Sequence, residues 1–354
     1  MIYIITMILA IFFIYPVKEY NNEILSTKNK YKYKHIYIVL SFIIALLPIA
    51  FRYGIGTDYF YTYYPYFQLI GKGQRYFDEI GFNILNKVIY VLTGDFRVLI
   101  AVTSFIFLYF MYKGIIKNSK DLVFSILMLF IGQAYFYSMN MIRQSIAISI
   151  IFFAVAFLKE NKKIKYIVVC MLASTIHVSA LLMIPLVFIN NLDLRNKTKI
   201  CILMLIMFMN PIIKNLLNSI IMETKYAWYY SSIYTNDSVS TIVIILNIVV
   251  FILDLLYSNE NSANKEYKLY SNINFFGLIL LIVANSIPLL NRLIRYFSIF
   301  QILFVPMIIK SEKNGKYRFL LKMFIFNLFF ITMYYQIFML GGEEVVPYVS
   351  IFSV

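Results

Sequence analysis

The chain has 354 residues, 61% of them hydrophobic and only 14% charged, with a mean hydropathy of +0.77. Such a composition excludes a water-soluble domain, and in lipid it selects helices, because the backbone must satisfy its hydrogen bonds internally. The net charge of +15 would suggest nucleic acid in a soluble protein; in an apolar chain it reports membrane topology instead, so no nucleic acid is expected.

Apolar runs long enough to cross, or nearly cross, a bilayer fall at about 2–17, 35–51, 96–115, 121–139, 141–158, 164–176, 178–190, 200–217, 239–257, 270–290, 293–309 and 319–340. The expected fold is therefore all-α: a polytopic membrane protein of about 12 transmembrane or partly re-entrant helices, forming a single integral membrane domain over 1–354. The first run has no basic segment before it and no small-residue cleavage site, and reads as a retained helix. Cys170 and Cys201 both lie within apolar runs and imply neither a disulfide framework nor a metal site.

Lysine and arginine set the orientation. With the N-terminus outside and one crossing per run, 22 of the 32 basic residues fall on inside loops, among them Lys30, Lys117, Lys163, Arg195, Lys268 and Lys316. The reverse orientation inverts that ratio, so the positive-inside rule selects the first. Outside loops then lie at about 52–95 and 218–238.

The first outside loop begins with Arg52-Tyr53-Gly54-Ile55-Gly56-Thr57-Asp58-Tyr59, a glycine-bearing turn whose arginine and carboxylate can pair with each other or grip a charged ligand. Further on, Glu79 to Tyr90 has the pattern of an amphipathic helix lying on the membrane surface. The second loop carries Tyr226, Trp228, Tyr229, Tyr230 and Tyr234, rings suited to stacking on sugars or to a headgroup belt.

Runs 164–176 and 178–190 are flanked by basic clusters on both sides, so the chain must go out and return. Each arm of ~13 residues spans only ~20 Å, less than the ~30 Å bilayer core. A recessed hairpin with His177 at its tip is expected, against the alternative of one long helix that leaves Arg195 outside.

On this topology the unusual polar residues share the outer face: Arg52 and Asp58; Asn140, Arg143 and Gln144; His177; Arg292 and Arg295; and the tail from Glu343 to Tyr348. Arginine at membrane depth is costly and tends to face a cavity or partner, although any single one can snorkel from a helix end. Four together suggest an anion-binding cavity, since the guanidinium fork suits phosphate.

Arg-x-Gly-x-Gly-Thr-Asp-Tyr at 52–59, Asn-x-x-Arg-Gln at 140–144, Ala-Ser-x-x-His-x-Ser-Ala at 173–180 and Asn-Arg-x-x-Arg-Tyr at 291–296 together resemble the EpsG family, the Wzy-type polymerases of bacterial exopolysaccharide, capsule and O-antigen. The resemblance runs through nearly the whole chain and includes the Pro347-Tyr348 tail. It implies a glycosyltransferase of GT-C-like architecture in the bacterial cytoplasmic membrane. Its substrates would be undecaprenyl-diphosphate-linked oligosaccharides at the outer face, with a flippase and a chain-length regulator as further partners.

In that frame Arg143, Arg292 and Arg295 would hold the diphosphate, and Arg52 would help them or pair with Asp58. His177 is the leading candidate for the base, with Asp58 its rival. Tyr59, Asn140, Gln144, Trp228 and Tyr348 would bind sugar or support the site. The sequence has no Asp-x-Asp motif or acidic cluster, so no metal and no cofactor are expected. An O-antigen-ligase-like enzyme shares the same donor logic. A flippase or other transporter would need charged groups along a path through spans that read as almost wholly apolar. A membrane acyltransferase would need its cationic site on the inner side, where no such cluster is seen.

Overall fold

The computed structural model describes residues 1–17, 28–74, 77–190, 192–224, 227, 240–284 and 290–353, with backbone only at 28–33, 284 and 290–291. Among these the protein is helical, with no strand beyond one isolated bridge. Five helices are long and apolar enough to cross a membrane: Phe96–Asn118, Ile142–Lys159, Asn196–Met222, Arg292–Ser311 and Gly315–Met339. A sixth span results if the pair Leu122–Ile131 and Ala134–Asn140, bent by 46°, is one broken crossing. Composition and these helices together make this a membrane protein.

The chain divides into two compact units, Met1–Ile184 with Met333–Val354, and Pro185–Thr332. The first holds α1 (Ile2–Ile14), α2 (Lys28–Ala50), α3 (Tyr64–Gly71), α4 (Ile80–Thr93), α5 (Phe96–Asn118), α6 (Leu122–Ile131), α7 (Ala134–Asn140), α8 (Ile142–Lys159) and α9 (Lys163–Ser174). Its framework is α5 packed along α8, with α2 against α1 and α5. Gly114 permits the closest approach, since a Cβ there would sit 2.6 Å from the Phe152 ring. Gly132 and the left-handed Gln133 (φ 68°) end α6 and redirect the chain into α7.

The 164–190 region forms the expected hairpin. α9 stops at Ser174, His177 is extended (φ −154°, ψ 117°), and a 3₁₀ turn runs from Val178 to Met183. The Tyr166 hydroxyl donates to the Met183 carbonyl at 3.0 Å. In one continuous helix residues that far apart in sequence would be separated by about 25 Å, so the long-helix alternative is excluded.

The second unit contains α10 (Leu186–Ile189), α11 (Asn196–Met222), α12 (Thr241–Tyr257), α13 (Lys265–Ala284), α14 (Leu290–Ser298), α15 (Gln301–Ser311) and most of α16 (Gly315–Met333). Its core gathers Phe251, Phe275, Leu278, Leu281 and Ile294. Its spans are less apolar than they read. Lys199, expected on an inside loop, is buried and pairs with buried Asp254 at 2.9 Å, and Ser271 donates to the same carboxylate at 2.7 Å. Gln301 also donates from α15 to Asn247 on α12 (2.8 Å) and to Asn274 on α13 (3.0 Å). Groups bonded to one another in this way act as interhelical glue in an apolar setting.

Candidate active site

The site begins where α2 ends. Arg52, 1% exposed, turns inward and donates to the Ile49 carbonyl, to Ser104 Oγ on α5 (2.9 Å) and to the Met139 carbonyl of α7 (3.2 Å). Its backbone bridges antiparallel to Ser350. Burial pulls its pKa down to about 10 against the opposing influence of Tyr3, Tyr59, Tyr135 and Tyr63, so it stays cationic at neutral pH. Its side-chain hydrogen bonds go to Ile49, Ser104 and Met139 and not to Asp58, and its Nε is buried with no hydrogen-bond partner. Two carbonyls and a hydroxyl from neighbouring elements surround the guanidinium, which ties those elements together.

Asp58 joins a different set. Its backbone N–H donates to Asn140 Oδ1 (3.1 Å), its Oδ1 accepts from Thr62 (3.0 Å), and Asn140 Nδ2 donates to Glu343 Oε2 (2.9 Å). Gly56, at φ +90°, makes this possible, because a Cβ would lie 2.8 Å from the Met139 carbonyl. Its N–H donates to the Glu344 carbonyl (3.2 Å), and the tail continues to Tyr348, whose hydroxyl donates to the Pro48 carbonyl at 3.2 Å.

The second cluster centres on Glu79, which the sequence reading placed at the start of a surface helix. Glu79 is the N-cap of α4. Its Oε2 accepts from Arg143 Nη1 at 2.7 Å, and its Oε1 lies 3.1 Å from His177 Nδ1. One carboxylate thus joins the first turn of α8 to the tip of the hairpin. Gly81 allows the approach: its N–H donates to the Thr175 carbonyl at 2.8 Å, and a Cβ there would lie 2.4 Å from Thr175 Oγ1. Phe77 stacks under the guanidinium, 4.1 Å from ring centroid to Arg143 Cζ, and the Tyr63 hydroxyl accepts from the Arg143 backbone at 3.4 Å.

Burial pushes the Glu79 carboxyl up, but the hydrogen bond from His177 and the charge of Arg143 outweigh it and hold the group down at about 2. Glu79 is therefore an anion at any working pH, and His177 must carry a proton on Nδ1 to bond it. In neutral imidazole that leaves the basic lone pair on Nε2. Arg143 keeps a buried Nε with no hydrogen-bond partner, an orphaned donor beside a pair of charges.

Of the other sequence candidates, Tyr59 is buried in a ring cluster with Tyr53, Phe60 and Phe96, Gln144 is buried, and Tyr348 meets Tyr3 edge to face at 5.6 Å. Arg292 and Arg295 are both partly buried on α14 in the second unit. Trp228, with Tyr226, Tyr229, Tyr230 and Tyr234, lies outside the described residues. The structure thus brings Arg143 to His177 through Glu79, and Asp58 to Asn140 and Glu343.

Glu79 had one signal in the sequence: an acid just before the first apolar position of an amphipathic pattern, where an N-cap belongs. No curated protein and no solved structure is significantly similar to the chain. The EpsG family model, however, matches residues 35–350, from α2 through both clusters to the tail beside Arg52, and the chain accordingly belongs to the EpsG family.

Proposed function

We propose that the protein is a Wzy-type polymerase that joins undecaprenyl-diphosphate-linked oligosaccharide repeat units at the outer face of the bacterial cytoplasmic membrane. The observation that carries this reading is Glu79 holding Arg143 and His177 within one cluster. Family membership supports it, as does the outward placement that lysine and arginine assign to the 52–95 loop.

The reaction replaces one bond at the anomeric carbon with another. A hydroxyl of the acceptor sugar attacks that carbon, its proton passes to His177 Nε2, and the carbon–oxygen bond to the diphosphate breaks. The electron pair leaves with undecaprenyl diphosphate. Glu79 fixes the imidazole tautomer and stabilises the imidazolium that forms, as a carboxylate does behind a catalytic histidine. Arg143, with its free Nε, would bind a diphosphate oxygen and stabilise the negative charge that grows there. Arg292 and Arg295 are proposed to bind diphosphate as well.

The test is reconstitution of the purified chain with a lipid-linked repeat unit, read on a gel. A ladder is expected, and Arg143→Lys should slow it by about 10- to 150-fold, the loss of one charge-assisted hydrogen bond of roughly 1.5–3 kcal/mol. Transfer of a single unit with no ladder would point to a ligase, and no transfer at all would refute glycosyl transfer.

A further inference from the structure

Away from Glu79, the first unit has a cavity of about 480 Å³ at the other end of α4. Its apolar wall is Tyr53, Tyr59, Tyr64 and Phe96. These rings pack on one another: Tyr53 tilted against Tyr59 at 6.1 Å, and Phe96 edge to face with Tyr59 at 5.1 Å and with Tyr64 at 5.4 Å. Tyr64 keeps 43% of its surface exposed, so its ring is open to whatever enters the cavity.

Polar groups complete the lining. Asp95 caps α5, and Arg97 binds both of its oxygens through Nε and Nη2 at 2.7–3.0 Å, which leaves Nη1 available. Gln68 on α3 lines the same space, with an amide that can both donate and accept.

Accessible ring surface of Tyr53 and Tyr64, backed by buried Tyr59 and Phe96, beside a planar ion pair and an amide matches a sugar ring, which is apolar on its faces and carries hydroxyls around its edge. We infer that this cavity is an oligosaccharide subsite, holding the glycan part of a substrate several sugar residues from the reacting carbon. The inference rests on the glycosyl-transfer reading for its ligand and on geometry for its place. α4 has 14 residues, so its two ends lie about 21 Å apart, with Glu79 at one and Thr93 at the cavity. The turn from Tyr59 to Tyr63 joins the two sites as well: Tyr59 is in the cavity wall, while Tyr63 touches Arg143. A glycan lying along α4 would be registered against His177 by its far end, which favours addition of whole repeat units.

Binding tests this apart from catalysis. The probe is the polysaccharide made by cells carrying the chain, cut by mild acid into short lipid-free oligosaccharides. Its affinity is measured by saturation-transfer NMR on the full chain in nanodiscs. Tyr64→Ala with Gln68→Ala should weaken binding about tenfold or more, while Tyr64→Phe keeps the ring and retains it. Arg97→Lys, which loses the fork at an exposed position, gives a second reading if the double variant fails to fold. His177→Ala should bind as the wild type does. Unchanged affinity in the Tyr64/Gln68 and Arg97 variants, or loss in His177→Ala alone, would overturn the subsite. Binding without any ladder from the wild type would leave the subsite standing and refute the polymerase.

Discussion

His177 and Asp58 looked interchangeable as bases in the sequence, yet their surroundings differ in kind. His177 has a carboxylate behind its Nδ1, whereas Asp58 accepts from Thr62 and sits in the cluster that Asn140 and Glu343 complete. His177→Ala is therefore expected to lower polymerisation by about 10²- to 10⁴-fold, the usual contribution of a positioned base, with Asp58→Asn losing less because it keeps its hydrogen-bonding shape. The reverse order in a ladder assay would move the base to Asp58. Glu79→Gln removes charge and keeps shape. Without its carboxylate His177 holds a proton less readily, so the acidic limb of the pH–rate profile should shift to lower pH while the maximum rate falls; an unmoved limb would leave Glu79 no part in tuning the base. Glu79 itself has a folded pKa of about 2 against an ordinary 4.5, so its stabilising contribution is present above 4.5 and lost as pH falls toward 2. Arg143 and His177 could be found from sequence because charge is conspicuous among apolar neighbours. Glu79 could not, since an acid at a helix start is ordinary and only the fold shows what it faces. The same holds for Arg52: its charge was visible, and the carbonyls that surround it were not.

At the scale of elements, α4 and the hairpin depend on each other. Gly81 is where they touch, so Gly81→Val should push α4 off Thr175 and separate Glu79 from His177 without altering any charged group. The expected result is activity lost at least as fully as in Glu79→Gln, with the chain still inserted and extractable as a monodisperse species. Wild-type activity in Gly81→Val would show that the contact is dispensable. The hairpin itself was legible, because basic clusters before and after two short apolar arms admit few other paths. The turn that puts Tyr63 on Arg143 was not, since its π geometry follows from packing and leaves no periodicity in the sequence. The bend between α6 and α7 likewise came from a left-handed Gln133, a residue with no strong sequence preference for that role.

For the whole molecule, hydropathy was enough to identify a helical membrane protein, and it overstated how dry the second unit is, because Gln301 donates to Asn247 and Asn274 within apolar runs. Orientation rests on lysine and arginine, and cysteine labelling tests it. After replacement of Cys170 and Cys201, a Lys163→Cys variant should react with an impermeant maleimide only in opened cells; labelling of intact cells would invert the map.

One feature of the first unit bears on timing. Residues near the start, at the first long loop and at the far end meet in a single cluster, with the Tyr3 hydroxyl on the Val345 carbonyl at 2.9 Å and Tyr53 N–H on the Val349 carbonyl at 2.9 Å. These partners lie almost 300 residues or more apart in sequence, so the loop that carries Asp58 can close only after the segment around Val345 and Val349 has been made. Removing residues 343–354 should leave an inserted chain with no polymerising activity, and a separately supplied peptide of that sequence should restore part of it. Full activity in the shortened chain would show that the cluster is ornamental to function.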